Sequence, residues 1–320
     1  MCGLFGFTTY SNNKRSYSKL LNALANEASE RGTHASGIAY NKNGYLTIYK
    51  KPLPAYKLKF EHAGDVVAVM GHTRHATQGA VKDNYNNHPF YGECKNGTGF
   101  AMAHNGIIYN DSQLRRTERL PASKIKTDSY IYAQLIEKQK RLDFNTLASC
   151  TERLQGYYTF TLLDDKNNLF IVKGDSPLSI IHFTRLKLYA YGSTDEILYK
   201  AIIDGGLLDE LKTGAFENIR IDDGELMKID ASGNITRSTF KATTTRYSFK
   251  NWYEYGDELV DDEYLADLKQ TASSLGFLPE DIDQLIEDGF TTDEIEELIY
   301  TDGYYADSIY DSLYGSEVLY

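Results

Sequence analysis

The segment Cys2-Gly3-Leu4-Phe5-Gly6-Phe7-Thr8-Thr9-Tyr10 follows Met1 directly and is rich in apolar and β-prone residues. A short apolar run of this kind is typical of a buried strand. We therefore predict a core strand over Leu4–Tyr10 that begins almost at Cys2.

The residues after this strand predict an α+β body. Apolar residues at helical spacing indicate a helix over Ser18–Ser29, and an Asn-Lys-Asn-Gly turn suits a hairpin. The other predicted helices are Ser129–Gln139, Asn145–Leu154 and Glu196–Ile203. The other predicted strands are Ser36–Tyr40, Tyr45–Tyr49, Val66–Met70, Phe100–His104, Tyr157–Leu163, Leu169–Val172, Leu178–Phe183, Leu188–Tyr191, Glu225–Ile229 and Ile235–Phe240.

The charge is distributed unevenly over the 320 residues. The formal net charge is −11, yet residues 251–320 alone contain 20 acids and one base, Lys269. We therefore predict two domains, a mildly basic body over residues 1–245 and an acidic, tyrosine-rich tail over residues 251–320. Beyond Lys250 the tail shows helical spacing that begins with Leu259 and continues after Pro279 and Thr291, so we expect a small all-α domain.

Cys2, Cys94 and Cys150 are an odd number of cysteines at unrelated spacings. This favours reduced thiols over a disulfide framework or a zinc site. No apolar run reaches 18 residues, and the N-terminus lacks the regions of a secretion signal. We expect a cytoplasmic protein without a membrane span, a metal or an organic cofactor.

Cys2 is the sharpest candidate for chemistry. Removal of Met1 would leave its thiol beside its own α-amine, whose pKa is about 7.7–8.0 in model peptides. That amine can serve as the general base, so the thiol needs no histidine partner. The alternative is a cysteine that packs as a small hydrophobic residue.

Several separated motifs occur together with Cys2-Gly3-Leu4-Phe5-Gly6. They are Arg31-Gly32 with Gly37-Ile38, the loop Gly71–Gly79 that contains His-Thr-Arg, Asn87-His88-Pro89, a strand and His-Asn-Gly turn within Ala103–Asn110, and Lys126-Thr127-Asp128-Ser129. In this order they resemble class II glutamine amidotransferase domains over roughly residues 2–240. The chain is similar to the glutaminase domains of amino-sugar synthases and amidophosphoribosyltransferases.

The resemblance implies a fold and a set of roles. The fold would be the four-layer αββα sandwich of N-terminal nucleophile hydrolases, two antiparallel sheets between helical layers. Cys2 would attack the side-chain amide of glutamine, and the Asn105 side chain and the Gly106 N–H would stabilise the resulting oxyanion.

The resemblance also implies contacts to the rest of glutamine. Arg74 would clamp the α-carboxylate, and Asp128 would pair with the α-ammonium. Thr77 would assist through its hydroxyl or backbone. His75 would belong to the lid over the substrate, but the amino-sugar-forming members usually carry Trp at this position.

Other departures and alternatives stay open at this stage. Gln78 stands where those members carry His, and His34-Ala35-Ser36-Gly37 differs from their acid-Ser-Ala-Gly. Taken singly, Arg74 could be a surface ion-pair residue and Asp128 a helix N-cap. We interpret three further histidines as structural: His72, His88 and His104.

The tail is too short for the acceptor domains of the familiar members, and no Gly-rich phosphate loop with a Lys is present. The leading hypothesis is therefore a glutaminase that passes ammonia to a separate synthase partner. The alternatives are a hydrolase of another γ-glutamyl compound and a non-enzymatic scaffold whose acidic tail mediates assembly, docks on its own body or binds a basic partner. A homo-oligomer is compatible with the sequence, whereas nucleic acid is not expected as a partner.

Overall fold

The computed structural model describes residues 2–11, 15–60, 66–76, 78–241, 262–274, 278–287 and 295. The chain divides into two compact units, Met1–Thr245 and Arg246–Tyr320. This division is close to the two predicted domains, but the function assigned to each of them stays a prediction.

Thirteen strands are described in the first unit. They are β1 (Gly3–Thr9), β2 (Ala35–Lys42), β3 (Tyr45–Lys51), β4 (Ala68–Arg74), β5 (Phe90–Glu93), β6 (Gly99–Ile108), β7 (Gly156–Asp164), β8 (Leu169–Lys173), β9 (Ser179–Phe183), β10 (Leu188–Gly192), β11 (Glu217–Asn218), β12 (Glu225–Ile229) and β13 (Ile235–Thr239).

Six helices are described in the same unit. They are α1 (Ser18–Ala28), α2 (Asp111–Thr117), α3 (Tyr130–Glu137), α4 (Phe144–Thr151), α5 (Asp195–Ile202) and α6 (Leu208–Lys212). The second unit contributes α7 (Asp262–Ser274) and α8 (Pro279–Glu287).

The strands form two antiparallel sheets. The seven-stranded sheet has the order β11-β9-β10-β1-β4-β2-β3, and the six-stranded sheet has the order β13-β12-β8-β7-β6-β5. β1 pairs with β10 on one side and with β4 on the other, so the first strand of the chain lies near the centre of its sheet.

Three apolar clusters define the layers of the first unit. One cluster joins α1 and α5 to the outer face of the seven-stranded sheet. A second fills the space between the two sheets, and a third joins α3 and α4 to the outer face of the six-stranded sheet. The order is therefore helix, sheet, sheet, helix.

The alternation along β1 explains how one strand serves two layers. Phe5 and Phe7 belong to the cluster with α1, whereas Leu4 belongs to the cluster between the sheets. Successive side chains of a strand point to opposite faces. A continuous apolar run is therefore required, because both faces of β1 are buried.

The predicted mixed α/β body with two antiparallel sheets is confirmed, whereas two local expectations are wrong. His72-Thr73-Arg74 lies in β4 and not in a loop, and Asn105-Gly106 lies inside β6 and not in a turn. Both segments stay extended because they pair with neighbouring strands, Thr73 with Gly3 and Asn105 with Thr159. Four elements have no counterpart among the predicted ones: β5, β11, α2 and α6.

The second unit is described in part. α7 and α8 pack through Leu268, Ala272, Ile282, Leu285 and Ile295. An all-α tail stays a prediction, because Leu259, Thr291 and most other tail residues lie outside the described residues. Among the helices that the structure does describe, none has the length and hydropathy needed to cross a bilayer.

Phe5 provides a test of the layered core. Its fully buried ring lies against Gly71, where an added Cβ would come within 2.3 Å of the ring. Phe5→Ala should lower the free energy of unfolding by about 3–5 kcal/mol, because it removes a large buried side chain. Denaturant titration is the measurement. Tyr45→Ala, at a side chain that is 76% exposed, is the control and should change it by about 0.5 kcal/mol or less.

Candidate active site

Cys2 lies at the start of β1, next to the end of β4. Its thiol donates to His75 O at 3.4 Å, and the His75 N–H points back at Sγ at 3.3 Å. Burial raises the pKa of the Cys2 thiol above its usual range, and the His75 N–H lowers it by a smaller amount. The thiol is therefore protonated near neutral pH, and a base must take its proton before it can attack.

The Arg31-Gly32 motif supports the backbone around Cys2. Arg31 Nε donates to Cys2 O at 2.7 Å. Gly32 lies against the Arg74–His75 peptide, where a Cβ would come within 2.5 Å of the Arg74 carbonyl carbon. The motif therefore combines a long donor side chain with a position that has no room for a side chain.

Asn105 and Gly106 lie on β6 of the other sheet. Asn105 is buried, and its Nδ2 makes a long 3.5 Å contact to Ser193 Oγ. The same hydroxyl accepts from Leu4 N at 2.7 Å, two residues after Cys2. Ser193 therefore joins the strand of the thiol to the strand of the predicted oxyanion donors. Sequence reasoning missed it, because a lone serine carries no motif.

Gly106 is required by the backbone. Its φ is +137°, and a Cβ at this position would come within 2.0 Å of Tyr157 O on β7. This conformation is open to glycine and strained for other residues. Its location inside a paired strand explains why the His-Asn-Gly pattern is not a turn here.

Arg74 is buried at the end of β4 and binds the loop that follows. Its Nη1 donates to Asn87 Oδ1 at 2.7 Å, and its Nη2 donates to the carbonyls of Gln78 and Gly79, the latter at 2.8 Å. These contacts place the guanidinium inside the site and exclude the surface ion-pair alternative. Its contact with a substrate carboxylate stays a prediction.

Asp128 is a buried carboxylate just before α3. Its Oδ2 accepts from Ile108 N at 2.8 Å, and its Oδ1 accepts from Ser129 Oγ at 3.2 Å. Burial raises the pKa of Asp128 above its usual range, and these hydrogen bonds lower it by smaller amounts. No salt bridge in the described part of the chain includes it, so the arrangement favours a cation from outside the chain.

His75 contacts Cys2 through its backbone, while its ring packs elsewhere. The His75 and His34 rings stack at 4.7 Å, and His34 Nδ1 accepts from Ala76 N at 3.0 Å. Burial lowers the pKa of His75 to about 3. His34 thus supports the backbone that holds the thiol, a role that no sequence signal indicated. Thr77 lies outside the described residues.

The three other histidines are neutral and buried. His72 Nε2 donates to His104 O at 2.9 Å, and burial lowers the pKa of both rings to about 3. His104 Nδ1 lies 2.8 Å from Ser129 Oγ, which donates to Asp128. The His88 ring packs against His72 at 4.1 Å. These contacts are consistent with structural roles, and the predicted site residues stay predictions.

Comparison with known proteins indicates the class of protein domain. Residues 72–200 match the family model of a glutamine amidotransferase domain. The match covers less than half of the chain, and it indicates a glutamine amidotransferase domain in this segment. The matched range begins at His72 and does not include Cys2.

The particular relatives include aminotransferases that have glutamine in their names. The chain is 32% identical over 187 residues to the glutamine–fructose-6-phosphate aminotransferase (isomerizing) of Staphylococcus aureus, which covers 56% of this chain and 30% of that enzyme. The chain therefore spans less than a third of the length of this curated relative. The match agrees with a glutamine amidotransferase domain in this part of the chain, and it does not give the activity of a whole protein.

Two solved structures share the fold. One is the glutamine phosphoribosylpyrophosphate amidotransferase of B. subtilis, complexed with ADP and GMP, with a TM-score of 0.57 and 21% identity. The other is described as the allosteric regulatory enzyme of purine biosynthesis, with a TM-score of 0.59 and 20% identity. Each covers 75% of this chain and 49% of the other.

The three thiols differ enough to be told apart by alkylation. Burial raises the pKa of Cys94 to about 11 and that of Cys150 to about 12, and both side chains are closed off from solvent. Cys2 is partly exposed. Iodoacetamide should therefore modify the native protein at Cys2 alone, faster as the pH rises and thiolate forms. Peptide mass mapping is the measurement, and early modification of Cys94 or Cys150 in folded protein would contradict it.

Proposed function

We propose that the first unit hydrolyses the side-chain amide of glutamine through a γ-glutamyl thioester on Cys2. The observation that carries this proposal is that the His75 backbone holds the Cys2 thiol, while Ser193 links Leu4 on the same strand to Asn105. The family match supplies glutamine as the substrate class. The fold would then be that of an N-terminal nucleophile hydrolase.

The first half of the reaction forms the thioester. With Met1 removed, the α-amine of Cys2 takes the thiol proton, and Sγ attacks the amide carbon of glutamine. The carbonyl oxygen becomes an oxyanion that accepts from Asn105 Nδ2 and Gly106 N; loss of one such donor typically costs about 2.7–4 kcal/mol. The carbon–nitrogen bond then breaks, and the protonated α-amine returns its proton to the leaving ammonia.

The second half releases glutamate. Water attacks the thioester carbon while the α-amine accepts its proton, the carbon–sulfur bond breaks, and the thiol is regenerated. Asp128 would bind the α-ammonium of the substrate, and Arg74 would bind its α-carboxylate. His75, and Thr77 from outside the described residues, would contribute to the lid.

The ammonia would pass to a partner. The match to the glutamine–fructose-6-phosphate aminotransferase covers 30% of that enzyme, so the rest of its length is not matched by this chain. We propose a separate synthase protein as acceptor and place the protein in the cytoplasm. In this proposal the tail is an acidic all-α element through which such a partner docks.

Cys2→Ala tests the nucleophile. Protein whose N-terminal Cys2 is confirmed by intact-mass spectrometry should convert glutamine to glutamate, and the variant should lose about 10³-fold or more of that rate. Cys94→Ala removes a thiol from the core and should retain the activity. Retained activity in Cys2→Ala would contradict the mechanism, and turnover of other γ-glutamyl amides but not glutamine would favour the alternative substrate.

Asp128→Asn tests the ammonium contact. The amide keeps an oxygen for Ile108 N but loses the charge, so KM for glutamine should rise about 10–100-fold, which corresponds to about 1.5–3 kcal/mol. In the wild type, KM should also rise as the pH falls, because protonation of Asp128 near its raised pKa removes the anion.

The control for this test is Asp111→Asn, at a nearby acid paired with Arg115 at 3.5 Å. It should leave KM nearly unchanged. In Asp128→Asn the acid limb of the KM profile should disappear. An unchanged KM and an unchanged pH profile would remove Asp128 from the binding site.

A further inference from the structure

β3 is the longest of the edge strands in the part of the chain that the structure describes. Its seven residues end the seven-stranded sheet, whereas the strands at the other three sheet edges have two residues (β11), four (β5) and five (β13). An edge strand presents unpaired main-chain groups to which another chain can add a strand. Among the described edge strands, β3 therefore presents the most main-chain groups for pairing.

The backbone orientation shows which residues face outward. Asn43 and Gly44 both have positive φ and form a two-residue turn between Lys42 and Tyr45. Such a turn closes on a hydrogen-bonded pair, and the ladder then alternates. The main-chain groups of Leu46, Ile48 and Lys50 therefore point away from β2.

Of these three residues, Lys50 has a hydrogen-bond partner for its outward carbonyl, whereas Leu46 and Ile48 have none within the part of the chain described. Lys50 O accepts from Asn84 Nδ2 at 2.8 Å, which confirms the direction inferred from the turn. Leu46 and Ile48 have no hydrogen bond on that side among the described residues. The open segment is therefore the middle of the strand.

Many edge strands are protected by a charged residue in their centre, but β3 is not. Leu46-Thr47-Ile48-Tyr49 carries no charge, and Leu46 and Ile48 point into the core between the sheets. On the other face the Tyr45 side chain is 76% exposed and that of Tyr49 is 39% exposed. β-prone residues flanked by exposed aromatic rings are typical of a surface that pairs.

The chain segment that contains β3 carries charge of one sign. Residues 31–60 contain five lysines, one arginine and no acid. Lys42, Lys51, Lys57 and Lys59 are exposed, and none of them belongs to a salt bridge in the described part of the chain. Strand pairing at β3 would therefore be favoured for an acidic segment and disfavoured for a basic one.

We propose that the outward edge of β3, with the exposed rings of Tyr45 and Tyr49 and these four lysines, docks an extended acidic segment of a partner protein as an additional strand. Main-chain hydrogen bonds to Leu46 and Ile48 give the pairing, and the lysines select the charge. This surface adjoins the candidate active site, because Lys50 Nζ donates to Asn87 O and Asn87 Oδ1 accepts from Arg74. Docking itself does not depend on the proposed glutaminase activity.

The test uses the full chain and a synthetic, end-capped peptide of alternating Glu with Val or Tyr. Hydrogen exchange should show fast amides at Leu46 and Ile48 in the chain alone and at least about tenfold slower exchange with saturating peptide. Fluorescence anisotropy of labelled peptide gives the affinity. The same peptide with every amide nitrogen methylated keeps its charges but cannot pair, and should not bind.

Charge reversal is the second arm. The triple variant Lys42→Glu, Lys51→Glu, Lys57→Glu should raise Kd for the peptide about tenfold or more at low salt, and added salt should weaken wild-type binding. Lys95→Glu, an exposed lysine beside the other sheet, is the matched control and should leave Kd unchanged.

Three results would each overturn the proposal. The first is slow hydrogen exchange of the Leu46 and Ile48 amides before peptide is added. The second is no binding of the unmethylated peptide up to about 1 mM. The third is that the methylated peptide binds as tightly as the unmethylated one, or that the triple variant binds the peptide as tightly as the wild type. Circular dichroism of the variants shows whether each is folded, and the methylated peptide tests pairing without any change to the protein.

Discussion

The antiparallel pairing of β1 with β4 is the interaction on which the site depends. Its register sets Gly3 opposite Thr73. One step further along the same register, Cys2 faces Arg74, and the next peptide brings the His75 N–H and carbonyl to the thiol. Because each strand is paired on both sides, the thiol is held by two rigid elements and not by a loop.

The same register logic accounts for the histidine pair beside the thiol. β2 pairs with β4 so that Ala35 lies opposite Arg74, and His34 and His75 come directly outside that pair. Their rings stack at the end of the β2–β4 pairing, and His34 Nδ1 accepts a hydrogen bond from the Ala76 N–H. His34 and His75 both depart from the pattern of the amino-sugar-forming members. They lie at the facing ends of β2 and β4, and together they support the backbone that holds the thiol.

Burial sets the electrostatics of the site more than charge pairing does. Asp128 and Cys2 both have a raised pKa because they are removed from water, and the histidines behind them are neutral for the same reason. A site of this kind gains from a zwitterionic ligand, whose ammonium and carboxylate supply the missing counter-charges. The uneven net charge of the chain, by contrast, is a property of its segments: residues 31–60 contain six bases and no acid, whereas residues 251–320 contain 20 acids and one base.

The sequence by itself determined the buried first strand, most helices and strands, the two-part charge division and the motifs that led to the family. These follow from local patterns, because side-chain periodicity and glycine requirements are properties of short segments. It could not determine that His-Thr-Arg and His-Asn-Gly lie inside strands, nor that Ser193 and His34 belong to the site. Those depend on which strands become neighbours and in which register, and pairing between residues 189 apart, as for Leu4 and Ser193, is decided only when the two sheets close over one core.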